Sequence, residues 1–197
     1  RAVTINGGGF TITPTFSFVS NAGDNSVIEI INTDDVTINS LIIDGTGGTD
    51  IHGVNIYNAT GVGLHNLTSK NNDKSGIVVN SSTVTVTNVT TSGNGWHGIN
   101  VDQKVSGTPA VLTVNGNSNQ TDALHIFVDD MAKDVAVNDT NGQYVVFTAG
   151  ASKTYMLKPV GAITSPTAGQ LVSGTINLTA TYEDWDNGVK DDGVQWA

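Results

Sequence analysis

The chain has 197 residues, of which 38% are hydrophobic and only 13% charged, so most of its polarity is uncharged Asn, Thr, Ser and Gly. Its lack of cysteine excludes a disulfide framework and a thiolate metal site. Its net charge of −10 makes nucleic acid and an anionic membrane poor partners, since both need a basic face. No run of about 18 apolar residues is present to cross a bilayer. Leu, Glu, Lys and Arg are scarce and no stretch keeps a helical period, so the expected elements are strands joined by tight turns.

The sequence opens inside an alternating stretch, Val3-Thr4-Ile5-Asn6-Gly7, with no methionine or signal-like segment. It reads as an internal piece of a longer protein. A two-part motif then recurs with a period of roughly 22–26 residues, the spacing of stacked repeats. The first part is Ile28-Glu29-Ile30, Val54-Asn55-Ile56, Ile77-Val78-Val79, Ile99-Asn100-Val101 and Ile126-Phe127-Val128. The second is Val36-Thr37-Ile38, Val62-Gly63-Leu64, Val84-Thr85-Val86, Leu112-Thr113-Val114 and Val135-Ala136-Val137. A third short strand is expected at Leu41-Ile42-Ile43, Leu67-Thr68 and Val89-Thr90.

Strands alternate their side chains between faces. The outer residues of each triplet therefore point inward and stack as aliphatic columns, with Val36, Val62, Val84, Leu112 and Val135 aligned in one of them. Glu29, Asn55, Val78, Asn100 and Phe127 point outward. Each buried aliphatic contributes about 1.5–3 kcal/mol, repeated at every turn. Asn66 and Asn88 fall at equivalent corners. An inward ladder of their side chains, with a left-handed bend at each, is the expected arrangement.

These repeats, Gly53-Val54-Asn55-Ile56, Gly76-Ile77-Val78-Val79 and His97-Gly98-Ile99-Asn100-Val101, with the stretch Thr83 to Asn94, resemble those of the pectin-lyase-like superfamily. The resemblance implies an all-β chain: a right-handed parallel β-helix with three strands per coil over residues 1–158. From Pro159 the pattern changes. Ile163-Thr164-Ser165, the alternating run from Ile176 to Tyr182, and Gly193-Val194-Gln195-Trp196 resemble the opening strands of a bacterial immunoglobulin-like β-sandwich. That gives a second, incomplete unit over residues 159–197, whose unpaired edges invite strand pairing with a neighbouring subunit.

Three sets of side chains could carry chemistry. Asp102, Asp129 and Asp130 follow the first strands of adjacent turns, where two carboxylates about 4.8 Å apart at the backbone would splay, share a proton or bind a cation. Their arrangement resembles the acids of polygalacturonase-type glycosidases, but the Gly-His-Gly and Arg-x-Lys of that family are missing. The resemblance to pectate lyases implies carboxylate-bound calcium and an arginine or lysine as base, a role for which only Lys104 or Lys133 could serve. Asp184, Asp186, Asp191 and Asp192 form an oxygen-rich stretch suited to calcium, the one cofactor the sequence suggests. Asn55, Tyr57, Asn100 and Phe127 lie on the first-strand face, with Tyr57 and Phe127 as exposed rings for stacking on sugar. His52, His65, His97 and His125 match no zinc spacing and read as turn residues.

The function expected is that of an extracellular surface or stalk protein. Its role is structural or adhesive, and its partner a polysaccharide or a cell-surface component. The alternative is a polysaccharide hydrolase using Asp102, Asp129 and Asp130.

Overall fold

A computed structural model describes residues 1–15, 25–158, 160–165 and 179–183, the last two stretches as backbone only. The strands come in triplets. A partial turn, β1 (Val3–Asn6) and β2 (Thr11–Ile12), precedes four complete ones. These are β3 (Ser26–Ile31), β4 (Val36–Asn39) and β5 (Ile42–Asp44); β6 (His52–Tyr57), β7 (Val62–His65) and β8 (Thr68–Lys70); β9 (Ile77–Asn80), β10 (Thr83–Thr87) and β11 (Thr90–Ser92); β12 (Ile99–Asp102), β13 (Ala110–Asn115) and β14 (Asn119–Gln120). A last partial turn holds β15 (Ile126–Val128) and β16 (Val135–Asp139).

Equivalent strands pair in parallel. β3, β6, β9, β12 and β15 make the first sheet, β1, β4, β7, β10, β13 and β16 the second, and β2, β5, β8, β11 and β14 the third. The chain is thus a parallel β-solenoid, and the described residues contain no helix.

The expected columns of the first sheet are present. Ile28 lies beside Val54, Val54 beside Ile77, Ile77 beside Ile99 and Ile99 beside Ile126. All but the terminal Ile28 are fully buried. In the second sheet Val62, Val84 and Leu112 align, as do Leu64, Val86 and Val114. The last turn corrects the expected register by two residues. Val135 lies beside Ala110, Val137 beside Leu112 and Asp139 beside Val114.

Corner residues adopt left-handed backbone, Asn66 at φ 49° and Asn88 at φ 53°. Asn88 Nδ2 donates to Asn66 Oδ1 over 3.2 Å, but both residues are exposed, so this ladder runs outside the corner rather than inside it.

The buried polar ladder stands at another corner, after the third sheet. Down that sheet the inward column changes from Ile43 to Ser69, Thr91 and Gln120, all buried. Asn72 Nδ2 donates to Ser69 Oγ (3.2 Å) and Asn94 Oδ1 (2.8 Å), and Asn94 Nδ2 donates to Asp122 Oδ1 (3.0 Å). Gly76 faces this ladder, and a Cβ there would sit 2.8 Å from both Asn94 Nδ2 and the Gly98 carbonyl. The glycine before the first strand is therefore needed to let the turns close.

The two ends differ. At the start, Val3 and Ile5 are each 43% exposed, whereas their neighbours one turn in, Val36 and Ile38, are 5% and 0% exposed. A groove of about 420 Å³ opens there onto Ile28, Ile30 and Ile38. At the other end the parallel pattern stops. β17 (Tyr144–Ala149) and β18 (Ser152–Leu157) form a hairpin that joins the first sheet, β18 running antiparallel to β15. Tyr144 Oη donates to Gln120 Oε1 (2.7 Å) and the Leu157 N–H donates to His125 Nδ1 (2.8 Å), so polar groups of the last turn are satisfied by the hairpin. β19 (Val160–Ser165) and β20 (Thr179–Glu183) pair antiparallel.

Candidate functional site

The outward face of the first sheet gathers most of the residues singled out in the sequence. One column holds Asn55, Val78, Asn100 and Phe127, and the next holds Tyr57, Asn80 and Asp102. Alternation puts these side chains opposite the aliphatic core. The floor is nonetheless covered: Asn55, Val78, Asn80 and Asp102 are buried, while Tyr57, Asn100 and Phe127 are half-buried. Asn80 is 1% exposed, and neither atom of its amide has a hydrogen-bond partner; the same holds for Asn100 Oδ1. Buried polar atoms without partners are uncommon and call for an explanation.

The trailing edge, where strands leave the sheet, is held by charge. Asp102 is 1% exposed and meets Lys133 through Oδ1 and Lys104 through Oδ2, each at 2.9 Å. Burial pushes its carboxyl up, but the hydrogen bonds from Lys133 and Lys104 outweigh this and hold it below 3.8. The same contact with Asp102 raises Lys133. Asp130 and Asp129 add further upward pulls on Lys133. Asp129 is exposed, and Asp130 Oδ1 accepts the Ala132 N–H (2.9 Å) in a local turn. The two lysines thus take up the charge that the sequence left to a proton or a cation.

The leading edge is held by rings. His97 stacks on Phe127 with centroids 4.4 Å apart and planes within 6°. Burial pushes His97 down to about 4, against the upward pull of Asp129. Its Nδ1 lies 3.3 Å from Ser75 Oγ, and the Ser75 N–H donates to His52 Nδ1 (3.0 Å). His52 in turn sets its ring against Trp96, at 5.6 Å and 82°. Lys74 Nζ lies 5.4 Å from the centre of the Trp96 ring and 2.9 Å from Asp50 Oδ1. His125 is buried in the interior, and His65 is half-buried on the second sheet.

Trp96, 52% exposed, was not foreseen as a surface ring; it is more open than Tyr57 or Phe127. It sits at a corner, outside any alternating run. Its only sequence signal is a large aromatic set between Gly95 and Gly98. Among the described residues no group of three or more His, Cys, Asp or Glu could hold a metal. The stretch with Asp184, Asp186, Asp191 and Asp192 lies outside the described residues. Among the described residues no helix is long and apolar enough to cross a membrane. No protein-family model matches this chain, and no curated protein or solved structure does either.

Proposed function

We propose that this chain acts as an extracellular structural rod, in a stalk or adhesive surface protein, and that its first-sheet face contacts carbohydrate. The observation that carries this reading is ring surface beside a half-buried amide on the outward side of the first sheet. Phe127, half-buried and stacked on His97, lies beside the half-buried Asn100 in one outward column, and Tyr57, also half-buried, stands in the next. A polyhydroxylated ligand offers donors and acceptors for such amides and apolar ring faces for such aromatics. Within this reading the coil is of the right-handed, pectin-lyase-like kind, and residues 159–197 begin an immunoglobulin-like module.

The lysine clamp favours a rod over a hydrolase. A general acid must reach the leaving oxygen and give up a proton near working pH. Asp102 is buried and held ionised by two lysines. Binding to a panel of soluble and insoluble polysaccharides tests the proposal. Retention that is weakened by Phe127→Ala and by Asn100→Ala supports it. Polysaccharide turnover that disappears in Asp129→Asn would replace it with the hydrolase.

A further inference from the structure

We infer that Trp96 is a second sugar-stacking plate, set at the corner between the third and first sheets, and that the glycan it takes is uncharged rather than a polyuronate. The inference rests on the carbohydrate reading above and names the ligand class of that face.

The plate is built rather than merely exposed. The Trp96 N–H donates to the Lys74 carbonyl (3.3 Å), and the Gly95 N–H before it donates to the Asn72 carbonyl (2.9 Å). The preceding glycine is pressed against the Asp73 carbonyl, which a Cβ at Gly95 would strike. His52 props the indole edge-on and Lys74 lies over it. Half of the side chain stays in water despite these supports. A ring already fixed in place loses little conformational freedom when a flat partner settles on it, which is the condition for efficient stacking. The next residue, His97, leads directly to Phe127, so a glycan crossing this corner meets ring surface on both sides.

The charges around the plate select the ligand. The cation at the indole, Lys74, is neutralised by Asp50. Asp73 is exposed beside it, its Oδ2 accepting the Asp50 N–H (2.7 Å), and Asp129 lies near His97. Carboxylates accept hydrogen bonds from sugar hydroxyls. They repel a chain that carries a carboxylate on each ring. The whole molecule carries −10. The geometry and the sign of charge thus point to a neutral polysaccharide.

Calorimetric titration of the full chain at fixed ionic strength tests this. The probes are cello-, xylo- and manno-hexaoses beside hexagalacturonate. The expected result is binding of at least one neutral hexaose, weakened ~10-fold or more by Trp96→Ala and less by Trp96→Phe. Unfolding curves confirm that both variants stay folded. Hexagalacturonate binding as tightly as the best neutral sugar would overturn the ligand class. Unchanged binding by Trp96→Ala with loss in Phe127→Ala would remove the plate and leave the first-sheet contact standing. Binding of no sugar would remove both.

Discussion

The two edges of the first sheet are built from the same rungs yet held in opposite ways. On the trailing edge a buried carboxylate ties Lys104 and Lys133 down, and its hydrogen-bonding capacity is spent inside the protein. On the leading edge rings lean on rings, and Trp96 keeps half its surface in water. The difference separates two jobs that look alike in sequence. Of the charged residues at the strand ends, Asp102 holds Lys104 and Lys133, while Asp129 is exposed. The aromatic corner carries the exposed Trp96, which we propose as the ligand-facing side.

The comparison can be broken most severely at what both edges share. Ile77 is fully buried in the central column, and Ile77→Ala should cost about 2–5 kcal/mol in urea unfolding, loosening both edges together. Asp102→Asn should act on one edge only. It removes the charge that two partly exposed lysines share, and those lysines can return to water, so we expect a loss of about 1–3 kcal/mol. Sugar binding should survive.

Acid separates the edges by pH. His97 titrates near 4 in the folded chain against 6.5 when unfolded, so between these values the unfolded chain binds more protons. Stability is therefore fully present above 6.5 and declines as pH falls to about 4. His97→Gln should flatten that window in a series of thermal melts. Asp102, lowered by its lysines, contributes stability that is lost only as pH falls below 3.8. The smallest effect should come from Trp96→Ala, which ought to leave stability within about 0.5 kcal/mol while changing ligand binding.

The columns were legible because alternation with a period of two places every aliphatic of a strand on one face. The same property hid the register of the last turn. Sliding β16 by two residues keeps Val135 and Val137 facing inward, so the hydrophobic pattern is blind to the shift, whereas a slip of one would have reversed it. The true register follows from β13 beginning at Ala110, which supplies an extra inward position beside Val135. The repeated register of Asn66 and Asn88 suits an inward ladder as well as ordinary turn asparagines. Their left-handed backbone instead turns the side chains out at the corner, and the dry ladder formed at Asn72, Asn94 and Asp122. The lysine clamp depends on Lys133, 31 residues from Asp102 along the chain, and on how two loops fold back, which no local pattern encodes.

The account rests on which residues neighbour each other between turns, and disulfide trapping reads this directly in a chain with no cysteine of its own. Adjacent parallel strands bring partner residues to about 4.8 Å, within the reach of a disulfide. Thr113 lies beside Asn138, two residues beyond Ala136. The pair Thr113→Cys and Asn138→Cys should oxidise rapidly and completely under mild conditions, and the pair Thr113→Cys and Ala136→Cys should not. Equal oxidation of both pairs, or preference for the second, would contradict the stacking from which every surface assignment here is drawn.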